Sequence, residues 1–532
     1  MEVDKERHRA TNKSPLMGVI QQTMREHIFN KMPIRLLAFG TDGSEIKLIE
    51  RGEIWRKISR EVARDFDSIE VDFRNQIKGG TKTPPVSEKE FAHQICEKYG
   101  KFAILSHTWL TTVSGEVTYT DWKSGKFSKE SRGYRKLAEF CRITATQYDH
   151  KLAWIDTICI NKESSSELDE SIRSMYNWYQ SASMCITYLA DTSNPSEMHR
   201  DTWFTRGWTL QELIAPRHIK FHDANWQQII PGMENDKKNP QIILQIKRAT
   251  GIVKDELETV LSKTPISRRM QWAAHRRVTR EEDMAYSLMG IFDVSISIAY
   301  GEGAERAFVR LLKEILNTST HNVLDIVNWG HGDTPSERNQ AIRTSALLPP
   351  GPQYYLRRAT DNIQWKPPST PISWTHLGLH VPVVLMPALD SAARISSARI
   401  FNPRGRYFAS ATGVKMFKSM NNRNSEHSFN VLDRSTFERH NLQSGRVAVF
   451  GVLNIVETET AIQIQDAGLC RAIPLKLVPL TGWDLPERFE SASPEATQAA
   501  VTFKLQLHGS SSFIIPKSEL HAHGMSFRIM YL

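Results

Sequence analysis

Met184-Cys-Ile-Thr-Tyr-Leu-Ala190, followed after a loop by Trp203-Phe-Thr-Arg-Gly-Trp-Thr-Leu-Gln-Glu-Leu213, is the stretch on which the fold turns. The first segment is a short apolar run and reads as a buried strand. The second opens a helix that carries a lone carboxylate, Glu212, four residues after Trp208. A carboxylate on the first helical turn beyond the carboxyl end of a parallel strand stands where open α/β sheets build their ligand crevices. Glu212 is therefore the first candidate for chemistry.

Outward from this point, the chain alternates in the way that predicts parallel strands joined by helices. Phe102-Ala-Ile-Leu-Ser106, Leu152-Ala-Trp-Ile-Asp-Thr-Ile-Cys-Ile160 and His218-Ile-Lys-Phe-His222 read as further strands. Between them Tyr134, Leu137, Ala138, Cys141, Ala145 and Tyr148, and then Leu168, Ile172, Met175, Tyr179 and Ala182, recur at helical spacing. Right-handed crossovers place these strands in one parallel sheet flanked by helices on both faces. The core domain then covers 96–240.

Upstream, residues 1–95 read as an extension. It holds an amphipathic helix from Leu16 to Phe29, strands at Ile34–Phe39 and Glu45–Ile49 joined by a Thr41-Asp-Gly-Ser44 turn, and a linker at Gly79-Gly-Thr-Lys-Thr-Pro-Pro85. Downstream, 241–330 is a helical segment in which Phe308, Leu311, Leu312 and Ile315 mark one apolar face. Gly and Pro cluster at Gly330–Pro335 and Leu348–Pro352, and beyond them 345–532 reads as a β-rich domain. Period-two alternation in Val447–Leu453, Ala461–Gln465 and Val501–Leu507 carries that reading.

Length and composition set the bounds. A chain of 532 residues exceeds what one core usually serves, and 40% hydrophobic with 24% charged residues describes a globular protein. The net charge of +9 is modest at this length and only weakly favours anionic partners. Five cysteines, odd in number and without a Cys-x-x-Cys pair, argue against a disulfide framework and for a reducing compartment. No signal-peptide core and no run of 18 apolar residues is present, so the expectation is a cytoplasmic protein without a membrane span.

Four segments taken together resemble the HET domain of fungal heterokaryon incompatibility proteins. They are Phe102-Ala-Ile-Leu-Ser-His-Thr-Trp109; Trp154-Ile-Asp-Thr-Ile-Cys-Ile-Asn161; Phe204-Thr-Arg-Gly-Trp-Thr-Leu-Gln-Glu-Leu213; and Glu282–Val294 with Tyr300-Gly-Glu-Gly303. The resemblance implies a protein related to the machinery that kills fused cells of unlike genotype. HET domains are in turn similar to TIR domains, whose enzymatic members cleave NAD at the nicotinamide–ribose bond with one glutamate in a Trp-Cys-x-x-Glu-Leu pattern. Here the matching run is Trp208-Thr-Leu-Gln-Glu-Leu213, with Thr209 in place of the cysteine. The resemblance thus implies a TIR-like core with Glu212 as its catalytic residue and NAD as substrate rather than cofactor.

One carboxylate suffices for that reaction. Nicotinamide leaves a cationic ring as a neutral molecule, and the charge that develops is an oxocarbenium ion on the ribose. A carboxylate fixed beside it stabilises the transition state more than the ground state, as in glycoside hydrolysis. Loops at the carboxyl ends of the strands supply the candidate substrate-binding residues: Ser106, His107, Trp109, Asp156, Asn161, Arg206 and Trp208, with Asp191 nearby. Arg206 is suited to a pyrophosphate, and Trp109 or Trp208 to an aromatic base.

Each candidate also has a plain structural reading. Glu212 can simply favour a helix dipole, Trp208 can pack in the core, and Asp156, in an apolar strand, can serve a structural hydrogen bond. His107 can be a satisfied core histidine, and Arg206 a partner for a carboxylate. Cys159 beside His107 would suggest a thiol hydrolase, but a thiol inside an apolar strand reads as core. Tyr300-Gly-Glu-Gly303 lacks the third glycine of a phosphate loop and reads as a helix-capping turn. Arg268, Arg269, His275, Arg276, Arg277 and Arg280, followed by Glu281, Glu282 and Asp283, read as a solvated helix face, so nucleic acid is not the expected partner. No zinc-like spacing is present.

Two functions of different class follow. One is a cell-death effector that hydrolyses NAD, working with an incompatibility partner protein or as a homo-oligomer. The other is a non-catalytic TIR-like module that self-assembles as a signalling scaffold.

Overall fold

In the computed structural model the described residues are 14–77, 86–110, 115–318, 325–326 and 348–356, together with the backbone of strands between Ser373 and Tyr531. The linker expected at Gly79–Pro85 and the boundary at Gly330–Pro335 lie outside them. By internal contacts the chain forms two units: 1–258 with 276–278 and 286–293, and the rest.

The first unit is built on a six-stranded sheet: β1 Arg35–Ala38, β2 Lys47–Glu50, β3 Ala103–His107, β4 Leu152–Trp154, β5 Met184–Tyr188 and β6 Ile219–His222. Its strand order is β2-β1-β4-β3-β5-β6. Strands β3 to β6 are mutually parallel, as the alternation predicts. The sheet is nevertheless mixed, because β1 joins β4 antiparallel and β2 joins β1 antiparallel. The strand pair read as part of a separate extension is thus an integral edge. Its tight turn, in which Gly40 N–H donates to Ser44 O at 2.8 Å, forces β1 and β2 antiparallel.

Helices pack around this sheet in chain order: α1 Pro15–Lys31, α2 Arg51–Arg64, α3 Phe66–Ile77, α4 Glu88–Tyr99, α5 Tyr119–Ser124, α6 Arg132–Tyr148, the single turn α7 Asp156–Cys159, α8 Ser165–Ser181 and α9 Thr209–Ile214. Side-chain caps start several of them: Ser87 for α4, Thr118 for α5, Ser131 for α6 and Ser164 for α8. The apolar face of α6 buries Leu137, Phe140, Cys141 and Ile143 at helical spacing, and α8 buries Ile172, Met175, Trp178 and Tyr179.

Two local readings are corrected here. The strand expected over Leu152–Ile160 ends at Trp154, and the next residues close a helical turn in which Cys159 N–H donates to Ile155 O at 2.9 Å. Asp156 therefore opens a helical turn instead of sitting mid-strand. The arginine cluster is not a uniformly solvated face either: Arg269 and Arg276 are buried, while His275, Arg277 and Arg280 are exposed. Arg276 is held inside because its guanidinium donates to Arg206 O at 2.8 Å and to the Thr209 hydroxyl at 2.9 Å.

In the second unit the helix Ala304–Thr318 buries Phe308, Leu311, Leu312 and Ile315 as their spacing predicts. Glu282 there accepts from Gly301 and Gly303 N–H, so the Tyr300-Gly-Glu-Gly303 turn carries a structural carboxylate. Farther on, an eleven-stranded and a three-stranded sheet are described, with strands at Ala448–Val452, Ala461–Gln465 and Val501–Leu507. Among the described residues no helix is long and apolar enough to cross a membrane.

Candidate functional site

Strand β3 is buried along its whole length and ends in Ser106-His107. Successive side chains of a strand leave on opposite faces, so these two neighbours feed two different polar groups. The residues expected to share one crevice are divided between them.

On one face Ser106 meets the helix that carries Glu212. The Ser106 hydroxyl donates to Glu212 Oε2 at 2.5 Å and accepts from Trp203 Nε1 at 2.7 Å. Since the indole N–H can only donate, the single hydroxyl proton of Ser106 is directed at the carboxyl. Tyr179 of α8 approaches the same carboxyl and donates its hydroxyl proton to Leu105 O at 2.9 Å. Glu212 stands on the first turn of α9 and is only 8% exposed. Burial pushes its pKa up to about 8; the Ser106 bond opposes this, the negative charge of Asp156 adds to it, and Tyr179 and Arg206 oppose it. At neutral pH Glu212 is therefore mostly protonated.

The start of α9 is fixed from several sides. Thr209 donates its hydroxyl to Trp203 O and accepts from Arg276. Gly207 N–H donates to Arg277 O at 2.8 Å, and a Cβ at Gly207 would lie 2.4 Å from Val278 Cγ1, so a side chain here would force Val278 to shift. Trp208 is half-buried at the amino end of α9, whereas Trp203 is the fully buried indole.

On the other face His107 lies between a lysine and a carboxylate. Lys136 Nζ is 2.7 Å from His107 Nδ1, and His107 Nε2 is 3.0 Å from Asp156 Oδ1. An ammonium can only donate, so Nδ1 carries the lone pair and Nε2–H points at Asp156. Lys136 is paired with Glu116, whose carboxylate also accepts from Leu110 N–H at 2.9 Å. Burial lowers the Lys136 pKa, and the charge of Glu116 resists that shift. Asp156 Oδ2 accepts from Trp109 Nε1 at 2.9 Å. Burial acts to raise the Asp156 pKa, but the Lys162 charge and the His107 and Trp109 hydrogen bonds hold it well below the usual carboxylate range.

The remaining candidates sort as follows. Asn161 turns to the entry of α8: its oxygen accepts from Glu163 N–H at 3.1 Å and its own N–H donates to Glu167 at 2.6 Å. Asp191 accepts from the backbone and hydroxyl of Thr202 and braces the loop before α9. Arg206 is half-buried, and its charge acts on Glu212. Cys159 is buried and its thiol is pushed up to about 12, which makes it a poor nucleophile.

Residues to which the sequence reading gave no place at the site are Trp203, Tyr179, Glu116, Lys136, Lys162 and Arg276. Lys136 did leave a signal, because it shares the buried stripe of α6 with Phe140 and Ile143 at i+4 and i+7.

Comparison with known proteins bears on this architecture. The family model described as heterokaryon incompatibility protein (HET) matches residues 102–202, which include Ser106, His107, Trp109, Asp156 and Asn161 but stop short of Glu212. Vegetative incompatibility protein HET-E-1 of Podospora anserina is 42% identical over 230 residues, covering 41% of this chain and 16% of the relative. The chain thus spans about a sixth of that relative's length. No solved structure matches the chain. The chain therefore contains a HET domain over residues 102–202 and is similar in sequence to a fungal vegetative incompatibility protein.

Proposed function

We propose that this chain is an effector of incompatibility-type cell death whose HET domain has a TIR-like core and hydrolyses NAD at the nicotinamide–ribose bond. The observation that carries the reading is the seat of Glu212. Its carboxyl is enclosed at the first turn of α9, beyond β5, and fixed by Ser106 at 2.5 Å. In the reaction the C1′–N bond breaks with its electron pair passing to the ring nitrogen, so nicotinamide departs neutral. Water adds to C1′ and loses a proton, giving ADP-ribose.

Glu212 acts as the anion facing the oxocarbenium ion, with Ser106 donating to it. Because burial pushes its pKa up to about 8, a cationic substrate ring lowers that value on binding and releases a proton. Turnover therefore rises with pH toward 8. The test is nicotinamide release from NAD by the full chain, with Glu212→Ala alongside; loss of about 100-fold to 1,000-fold is expected on removing the carboxylate. No release by the wild-type protein in its assembled state would sink the reading.

A second reading, a non-catalytic self-assembling scaffold, is favoured by the near-complete enclosure of Glu212, which suits a core carboxyl equally well. Release of nicotinamide separates the two. On either reading we take the strands beyond Ser373 as a β-rich domain of its own, the protein as cytoplasmic, and its partners as an incompatibility protein or further copies of itself.

A further inference from the structure

Trp109 stands at the carboxyl end of β3 with 43% of its surface exposed, an unusual position for an indole. Two contacts keep it there. Its Nε1–H is held by Asp156 Oδ2 at 2.9 Å, which fixes the ring's orientation, and the Lys162 ammonium sits 3.4 Å from the ring centroid. The same ammonium is 3.9 Å from Asp156 Oδ2. Lys162 thus occupies a corner formed by an aromatic face and a carboxylate, both of which attract positive charge.

The corner is built from behind. Asp156 has its other oxygen on His107, and His107 is backed by Lys136 and Glu116, so neither the carboxylate nor the indole it holds is free to turn. Counting formal charges, Glu116 and Asp156 are balanced by Lys136 and Lys162. Lys136 is buried with Glu116 and cannot leave, but Lys162 is 36% exposed and sits on a long flexible stem. Displacing Lys162 leaves an anionic corner with an exposed flat π-face. A flat cation fits it best, because it covers the indole and neutralises Asp156 together.

We propose that the Trp109 face and Asp156 form a recognition corner for a flat aromatic cation of the N-alkylpyridinium class, on the face of β3 opposite the Ser106–Glu212 group, and that Lys162 is the internal cation it displaces. The corner stands apart from the NAD reading, whose scissile bond belongs at Glu212, and is tested without turnover. It makes Trp109 and Asp156 determinants of specificity for a charged over an uncharged ring.

The probe is 1-methylnicotinamide, titrated into the full chain by calorimetry, with nicotinamide and tetramethylammonium as comparisons. The wild-type protein is expected to prefer 1-methylnicotinamide to both. Trp109→Leu should weaken it by about tenfold and Asp156→Asn by severalfold, whereas Lys162→Met, by removing the competing cation, should tighten it about threefold. Equal binding of nicotinamide and 1-methylnicotinamide, equal binding of tetramethylammonium, or weaker binding by Lys162→Met would each overturn the proposal. Absence of binding in both the wild type and Lys162→Met would do so as well. Failure of nicotinamide release with the cation preference intact would count against hydrolysis alone.

Discussion

The two faces of β3 hold similar groups in opposite states. Behind Ser106 a carboxyl is buried, mostly protonated and enclosed by a serine, a tyrosine and an indole. Behind His107 a carboxylate is ionised, partly open to solvent and enclosed by a lysine, a histidine and an indole. Neighbouring positions on one strand have thus been given a neutral, closed chain and a charged, open one. The difference comes from cations: Lys162 and Lys136 stand close on one side, while on the other, among the described residues, hydroxyls touch the carboxyl and Arg206 and Arg276 act from a distance.

The charged face is the easier one to break. Lys136→Met leaves the buried Glu116 carboxylate without its ammonium and His107 without its donor. Breaking a buried pair typically costs about 3–5 kcal/mol. A loss of that size in denaturant midpoint is expected, whereas Lys162→Met, at a half-open pair, should change stability by less than about 1 kcal/mol. Similar losses for the two variants would mean that the open and closed ends of the charged chain are not energetically distinct.

The neutral face is revealed by pH. Glu212 has its folded-state pKa near 8 against 4.5 for the ordinary group, so the native state holds a proton that the unfolded chain has lost between those values. Its stabilising contribution is present below about pH 4.5 and is lost as pH rises through 8. Asp156 acts in the opposite sense: its pKa is depressed, so its contribution is present above the ordinary carboxylate range and is lost as pH falls. Glu212→Gln keeps the shape and removes the titration. It should flatten a decline on the order of 3 kcal/mol between pH 5 and 8, measured by urea unfolding. An unchanged slope in this variant would show that Glu212 is ionised in the native state at neutral pH.

How far this contrast was legible in the sequence depends on the kind of signal. Strands β3 and β5 are short, largely apolar runs buried along all or nearly all their length, so composition marks them, whereas β6 alternates Ile219 and Phe221 with Lys220 and His222, which are buried as well. The pairing of β1 with β4 is a contact over more than 110 residues, for which local patterning carries no signal, and the mixed sheet was missed for that reason. Trp154-Ile-Asp-Thr-Ile-Cys-Ile160 is rich in β-branched residues and reads as strand, yet tertiary context turns it into a helical step and brings Asp156 to His107. The parting of Ser106 and His107 was legible, because a period of two sends neighbours to opposite faces. Placing both in one crevice overlooked it. Lys136 could have been read as buried from its place on the apolar stripe of α6, but its partner Glu116, on a loop, could not.

The smallest effect is the most specific to the closed face. Trp203 fills the core, with its ring edge-on to Phe204 and Phe221 at centroid distances of 4.9 and 5.8 Å. It also orients Ser106 through one hydrogen bond. Trp203→Phe keeps most of the packing but removes the N–H, so Ser106 loses the donor that directs its proton to Glu212. Loss of one neutral buried hydrogen bond is worth about 1 kcal/mol, to which the smaller ring adds a cavity term. The informative readout is therefore the titration of Glu212: with Ser106 free to turn away, the anion loses its donor and the pKa moves above 8. Isotope-edited NMR of the glutamate carboxyl, compared with Glu212→Gln for assignment, is expected to show that upward shift. A downward shift would mean that Ser106 opposes ionisation, and that the hydroxyl accepts from a protonated Glu212 instead of donating to it.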